Sequence, residues 1–149
     1  MGVFPADHLI VGHHKFSNAI NTADFLARKG ENLVTIGIKP TYASTAYGYI
    51  QYDENSEIDH FDAYHVKAFA EKPHSKLAKR FLSSGDFLWN AGMFFWRVST
   101  FMDGLKKFLP ELHDSLTKIA PKLAAGQSID ELWDFIEPES IDYGLMEKA

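Results

Sequence analysis

The sequence of 149 residues contains no cysteine, so disulfides, thiolate metal sites and a cysteine nucleophile are excluded. It has no tract of lysine and arginine, and its net charge is −5; we therefore expect no nucleic acid among its partners. No apolar run approaches the roughly 20 residues that span a bilayer, and no signal peptide opens the chain. These absences favour a soluble, cytoplasmic protein without a membrane partner.

The composition that remains is typical of a packed protein. Hydrophobic residues make up 46% of the chain and aromatic residues 14%, which is far from the composition of a disordered segment. A chain of this length fits one domain and can bury about 70% of its extended surface. We expect residues 1–149 to belong to a single domain.

Strands and helices alternate early in the chain, and helices dominate later. Apolar and β-branched composition predicts strands near residues 3–5, 33–39, 47–52, 64–70 and 91–98. Helical spacing and caps predict helices over residues 14–29, 75–85, 99–108, 110–125, 128–135 and from 140 onward. This order predicts an α/β fold with a mixed, mainly parallel sheet and flanking helices.

The run Phe69-Ala70-Glu71-Lys72-Pro73 places a carboxylate beside an ammonium where a predicted strand meets a proline. Adjacent side chains on a strand point to opposite faces, so Glu71 and Lys72 can face one ligand only where the strand ends or twists. Pro73 favours such an ending, because it cannot donate to a sheet ladder and keeps its predecessor extended. The pair could bind a sugar phosphate; the alternative is an exposed ion pair.

Three further positions stand at predicted strand ends. Asp7 follows an apolar strand, where open α/β sheets form their ligand crevice, and a carboxylate there suits Mg²⁺; a turn cap explains it equally well. Gly48 would let a ligand approach the backbone, or mark a bulge. Asn90, at the mouth of the most buried strand, can donate and accept to a sugar hydroxyl, or simply form a turn.

Taken together and in order, six runs resemble the bacterial mannose-1-phosphate guanylyltransferases, members of the sugar nucleotidyltransferase family. The Glu-Lys-Pro run is common to many sugar nucleotidyltransferases, whereas Trp-Asn-x-Gly-Met-Phe and Ser-Ile-Asp-Tyr narrow the resemblance to the mannose branch. The resemblance covers nearly the whole chain and implies a Rossmann-like nucleotide-diphospho-sugar transferase fold. The matching runs are Phe4-Pro5-Ala6-Asp7-His8-Leu9-Ile10, Leu33-Val34-Thr35-Ile36-Gly37-Ile38-Lys39-Pro40-Thr41, Tyr47-Gly48-Tyr49-Ile50, Phe69-Ala70-Glu71-Lys72-Pro73, Trp89-Asn90-Ala91-Gly92-Met93-Phe94 and Ser140-Ile141-Asp142-Tyr143.

The resemblance implies a reaction in which the phosphate of mannose 1-phosphate attacks the α-phosphorus of GTP, giving GDP-mannose and pyrophosphate. It implies that Asp7 and Lys72 are catalytic, with Asp7 holding Mg²⁺ and Lys72 contacting the sugar phosphate. Glu71 and Asn90 would bind sugar hydroxyls, and the backbone near Gly48 would line the sugar pocket. These roles suit the chemistry, because cations stabilise the charge where two phosphates meet.

The chain departs from the family pattern at both ends. The family's glycine-rich loop with an arginine and a Pro-Lys pair, which grips the triphosphate, does not occur, and no Trp-x-Asp-x-Gly run follows Asp142. Asp142 itself matches and is expected on the active-site side of the fold. We therefore expect a partial nucleotidyltransferase domain, truncated at both ends and inactive alone. An unpaired sheet edge would also favour a homo-oligomer.

Two alternatives stay open on the residues alone. The enzyme could act on another hexose 1-phosphate or another nucleotide, because the loop that would help to choose the base does not occur. Alternatively, the chain could be a non-catalytic module that binds a sugar phosphate or has a regulatory role. A direct assay of guanylyl transfer distinguishes these hypotheses.

Overall fold

The computed structural model describes residues 1–59 and 61–149. The chain divides into two compact units, Met1–Arg97 and Val98–Ala149. The first unit contains a five-stranded sheet with helices, and the second is helical. The predicted α/β class is therefore confirmed. Within the described ranges, no helix is long and apolar enough to cross a membrane.

The sheet is organised around its longest strand. Its strands are β1 Gly2–Val3, β2 Val34–Ile38, β3 Tyr49–Tyr52, β4 Val66–Ala70 and β5 Phe87–Phe95. Strand β2 lies along one edge of β5, while β1 and β3 lie along the other. Strand β4 pairs with β3 on its far side. Because β5 contacts three strands, its side chains form the centre of the first unit.

The predicted strand direction is wrong, because all described strand pairs are antiparallel. The crossover through the first helix does connect strands of equal direction, since β1 and β2 both run opposite to β5. Strand β5 is inserted between them. Strands β4 and β5 also share a direction, and β3 lies between them. The alternation of strands and helices predicted the crossovers, but it does not show which other strand is inserted between the two strands that a crossover connects.

Strand β5 begins at Phe87, four residues before the predicted start. Its first residues pair with β3, with Trp89 opposite Tyr49 and Phe87 opposite Gln51. The polar Asn90 and the glycine at position 92 made this part resemble a turn in the sequence. Asn90 therefore lies inside the strand rather than at its mouth.

Helix α1, His13–Lys29, covers the sheet with its apolar face. Its buried Ala23 and Ala27 pack in one cluster with Ala91, Met93 and Phe95 of β5. This is the face predicted from helical spacing. Burying one large apolar side chain is worth about 1.5–3 kcal/mol, so this contact holds β5 firmly in place.

Helix α2, Ser75–Ser84, fixes the start of β5 and the neighbouring β3. Its Phe81 stacks on Phe87 at a centroid distance of 4.0 Å and contacts Tyr49 at 5.2 Å. Gly85, at φ 87°, ends the helix as predicted. The N-cap is His74, because its side chain accepts a bond from the Leu77 N–H.

The second unit consists of helices α3 Val98–Phe108, α4 Pro110–Ala124 and α5 Asp130–Trp133, followed by a π-helical turn, Asp142–Met146. Helix α5 is shorter than the predicted helix over residues 128–135. The π turn packs closely on α3, where a Cβ on Gly104 would lie 2.7 Å from Leu145 Cδ1. The helix predicted from residue 140 is therefore a single wide turn.

Candidate functional site

An opening in the sheet lies beside the middle of β5. Strands β1 and β3 lie in line along one edge of β5, with a gap between the end of β1 and the start of β3. Val3 is opposite Phe94, and Tyr49 is opposite Trp89. The chain leaving β1 passes Gly92, since a Cβ on Gly92 would lie 3.5 Å from Pro5 Cγ. The chain entering β3 arrives at Asn90. Residues after β1 and before β3 are thereby brought to neighbouring positions on one strand.

Glu71 and Lys72 lie where β4 ends. The strand stops at Ala70, as the sequence predicted, and Lys72 Nζ lies 3.1 Å from Glu71 Oε1. Both side chains therefore face the same side. Lys72 is not extended, as Pro73 had suggested, but left-handed at φ 43°, because the chain must turn from β4 into α2 within four residues.

These two charged groups differ strongly in exposure. The side chain of Glu71 is only 9% exposed, whereas that of Lys72 is 59% exposed. Burying a carboxylate is costly unless it is paired and hydrogen-bonded, and the Lys72 ammonium supplies part of that compensation. The pair thus places a nearly buried carboxylate beside an ammonium that is exposed to solvent.

The Glu71 carboxylate lies against the backbone of Gly48. A Cβ added to Gly48 would overlap Glu71 Oε2 and lie 3.4 Å from Asn90 Cβ. The backbone N–H of Asn90 also donates to the Gly48 carbonyl at 2.8 Å. The structure therefore brings together Gly48, Glu71 and Asn90, which we call the Gly48 cluster, with Lys72 at its exposed side.

The Asn90 side chain is held by two hydrogen bonds to the same oxygen. The Thr35 hydroxyl donates to Asn90 Oδ1 at 2.9 Å, and the backbone N–H of Gly92 donates to it at 3.1 Å. Sequence reasoning did not single out Thr35. The signal in the sequence that could have revealed Thr35 is a hydroxyl within the otherwise apolar run Leu33-Val34-Thr35-Ile36. Its hydrogen-bond partner, Asn90, is 55 residues away in the sequence.

A further side-chain bond holds β3 against the start of β5. Gln51 Nε2 donates to Asp86 Oδ2 at 2.6 Å. The bond from Gln51, followed by one from Ser84, lowers the pKa of the Asp86 carboxyl below its usual value. This contact fixes the end of β3 beyond Gly48, so the cluster is supported from the strand as well as from α2.

Asp7 lies in the segment between β1 and α1, and its side chain is exposed. The apolar neighbours Leu9 and Val11 are 91% and 89% exposed. Among residues 1–59 and 61–149, no group of three or more metal-binding side chains could hold an ion. Asp7 and the described side chains around it therefore do not make up a magnesium site by themselves, because Mg²⁺ requires near-octahedral oxygen ligands.

Asp142 lies in the second unit, in the first turn of the π-helical segment. Its carbonyl accepts a bond from the Glu147 N–H at 2.9 Å, and its side chain is half-buried. Because Asp142 belongs to the second unit, its predicted place on the active-site side stays a prediction.

Comparison with known proteins gives a consistent family. A family model described as nucleotidyl transferase matches residues 1–134. Mannose-1-phosphate guanylyltransferase 2 of Escherichia coli O157:H7 is 35% identical over 161 residues, covering 99% of this chain and 32% of the relative. Mannose-1-phosphate guanylyltransferase of Salmonella muenchen is 38% identical over 149 residues, covering 97% of this chain and 31% of the relative. The chain thus spans about a third of the length of these relatives.

Two solved structures share the fold. One is described as mannose-1-phosphate geranyltransferase from Thermus thermophilus, with a TM-score of 0.84, 32% identity, and coverage of 99% of this chain and 41% of that one. The other is described as mannose-6-phosphate isomerase from Helicobacter pylori, with a TM-score of 0.81, 30% identity, and coverage of 99% and 57%. The resemblance inferred from the six sequence runs is confirmed.

Proposed function

The chain belongs to the nucleotidyl transferase family, and from that premise we propose that its protein transfers a guanylyl group from GTP to mannose 1-phosphate. A phosphate oxygen of the sugar forms a bond to the α-phosphorus of GTP. The bond between that phosphorus and the pyrophosphate oxygen breaks, so GDP-mannose and pyrophosphate are produced. The similarity to proteins named mannose-1-phosphate guanylyltransferase supports this choice of substrates.

The Gly48 cluster is the proposed sugar-binding part of the site. The Glu71 carboxylate can accept bonds from sugar hydroxyls, and the Asn90 amide can donate to them. Because Gly48 has no Cβ, the Glu71 carboxylate can lie against its backbone, and we propose that the backbone near Gly48 lines the sugar pocket beside that carboxylate. The observation that supports the proposal best is that the Glu71 carboxylate lies beside both the Gly48 backbone and the Lys72 ammonium, because an acceptor next to a cation suits a ligand that carries hydroxyls and a phosphate.

Lys72 is proposed to contact the sugar phosphate. Its ammonium is a compact point charge on a flexible stem, and its 59% exposure leaves it accessible from solvent. Holding the phosphate here would neutralise charge as the two phosphates approach. The orientation of the substrate and the neutralisation of its charge would thus come from adjacent residues of one turn.

Asp7 is proposed as one ligand of Mg²⁺, which would stabilise charge on the phosphates when bound. Further oxygen ligands would be needed for such an ion, and we derive no step that depends on it. Asp142 is proposed to lie on the active-site side of the fold. Because the family match over residues 1–134 extends from the first unit into the second, we also propose that both belong to one domain, in a cytoplasmic homo-oligomer.

Calorimetry tests the substrate directly. We would titrate the chain with mannose 1-phosphate, mannose 6-phosphate and inorganic phosphate, because one solved relative is named as an isomerase of mannose 6-phosphate. The expected result is preferential binding of mannose 1-phosphate. Equal or tighter binding of mannose 6-phosphate would overturn the proposal. Since the sequence has no glycine-rich triphosphate loop, we expect no GDP-mannose from residues 1–149 with GTP and Mg²⁺.

A further inference from the structure

We propose that Thr35 is a positioning residue that, together with the backbone N–H of Gly92, holds the Asn90 amide in place and so fixes the position of the group that Asn90 offers to the sugar. This inference rests on the proposed function, in which Asn90 binds a sugar hydroxyl. Thr35 itself is not proposed to touch the substrate. Its hydroxyl acts through the 2.9 Å bond to Asn90 Oδ1.

The orientation of the amide follows from the Gly92 bond. An asparagine side chain carries an acceptor oxygen and a donor nitrogen of nearly equal shape. A backbone N–H can only donate, so the atom 3.1 Å from the Gly92 nitrogen must be the amide oxygen. The Thr35 hydroxyl, which meets the same oxygen, must therefore act as a donor as well.

Two donors on Oδ1 leave Asn90 Nδ2 to act as the donor of this side chain. That nitrogen can bond only to an acceptor, such as a carboxylate or the oxygen of a sugar hydroxyl. If the amide rotated by half a turn, the oxygen would face the sugar and the Nδ2 group would face the Gly92 N–H, donor against donor. A hydroxyl can donate or accept, so the Gly92 N–H alone sets the orientation, and the Thr35 hydroxyl adds a second bond that holds Oδ1 in place.

The contact between Thr35 and Asn90 lies at an irregularity of the sheet. Asn90 is opposite Gly37 in the ladder between β2 and β5, and a register shift lies between Thr35 and Gly37. A regular ladder would place Thr35 opposite Gly92, but the shift places it opposite Phe94. The Thr35 hydroxyl nevertheless bonds to Asn90 Oδ1 at 2.9 Å across the shift.

Four variants and a control test the inference on the chain. Thr35→Val keeps the shape and removes the hydroxyl, whereas Thr35→Ser keeps the hydroxyl. Asn90→Ala and the double variant Thr35→Val/Asn90→Ala show whether Thr35 acts through Asn90. The matched control is Thr117→Val, which removes a hydroxyl that also donates over 2.9 Å, to the His113 carbonyl in the second unit.

Mannose 1-phosphate affinity, measured by calorimetry, gives the first readout. We expect Thr35→Val to bind about three- to tenfold more weakly, since one hydrogen bond is lost. Thr35→Ser should lie within about twofold of the wild type, as should Thr117→Val, because each leaves the Asn90 bonds in place. In the Asn90→Ala background, Thr35→Val should have no further effect. Equal losses in both backgrounds, or no loss in Thr35→Val, would overturn the inference.

The second readout needs no ligand. In ¹⁵N–¹H spectra, the Asn90 side-chain signals and the Gly92 backbone signal should shift in Thr35→Val and return toward the wild-type positions in Thr35→Ser. Unchanged signals would overturn the positioning role even if affinity fell. If the wild-type chain binds no mannose 1-phosphate, the proposed function fails, while these spectra still decide whether Thr35 positions the Asn90 amide.

Discussion

The Gly48 cluster and the segment after β1, residues 4–12, lie near neighbouring positions of β5 but are held very differently. In the cluster, Glu71 is nearly buried and Asn90 accepts two hydrogen bonds. In the segment after β1, Leu9 is 91% exposed and the chain forms no helix or strand until His13.

Under the proposed function, the two regions would have two different tasks. A sugar with several hydroxyls binds best to groups that are fixed before it arrives, because ordering them on binding would cost affinity. The proposed role of Asp7 concerns the phosphates and Mg²⁺ rather than the sugar. We therefore expect changes in the cluster to affect sugar affinity strongly and changes in the segment after β1 to affect it little.

The largest expected effect is that of Lys72→Ala. Losing a charge-assisted hydrogen bond to the sugar phosphate costs about 1.5–3 kcal/mol, which is roughly a ten- to hundredfold weaker affinity for mannose 1-phosphate. Calorimetry measures it, with Lys76→Ala on the exposed face of α2 as the control. Equal effects of the two substitutions would remove Lys72 from the site.

Gly48→Ala should have the next largest effect. The new Cβ would overlap Glu71 Oε2, so the carboxylate must move, at the cost of about 1–3 kcal/mol that overpacking usually carries. We expect weaker mannose 1-phosphate binding. The paired variant is Gly12→Ala, where a Cβ meets nothing within 4 Å but φ is 91°. It should lose stability by about 1–2 kcal/mol and keep its affinity, and a loss of affinity in both would contradict the contrast between the regions.

A smaller effect concerns pH. The pKa of Asp86 is lowered by the bonds from Gln51 and Ser84. The Asp86 carboxyl therefore binds a proton more readily in the unfolded chain than in the folded chain. Stability from this group is present above the unfolded pKa of about 3.9 and is lost as the pH falls through the folded pKa. Urea unfolding between pH 5 and pH 3 should show this decline, and Asp86→Asn should make it shallower. An unchanged slope would show that the bond to Gln51 contributes little.

The smallest expected effect is that of Asp7→Asn on sugar affinity. Measured with mannose 1-phosphate and without Mg²⁺, the change should stay below about twofold, since a neutral exposed side chain replaces an exposed carboxylate. A large loss would show that the segment after β1 takes part in sugar binding. The contrast between the two regions would then be wrong.

The sequence allowed the members of the cluster to be found because each carries a local signal. Glu71 stands beside a lysine and a proline, and Gly48 stands between two tyrosines. The sequence predicted the end of β4 correctly. The left-handed turn at Lys72 was not predicted, because it depends on the small number of residues between β4 and α2. Their roles in binding stay predictions.

The errors share a cause, which is that they depend on contacts far apart in sequence. The antiparallel sheet results from β5 lying between β1 and β2, and local periodicity cannot reveal which strands become neighbours. Thr35 was missed for the same reason, because its partner is on another strand. The start of β5 at Phe87 likewise depends on pairing with β3.

The in-line arrangement of β1 and β3 makes β5 the element that sets the spacing of the site. Gly48 is located by Asn90 and Pro5 by Gly92, so the distance between the two regions is set by the number of residues that separate them along one strand. Insertions in the polar connection between β3 and β4 would leave this count unchanged. One residue inserted between Asn90 and Gly92 would lengthen it and turn the following side chains to the opposite face. Tolerance to insertion and deletion should therefore be lowest in these few residues of β5.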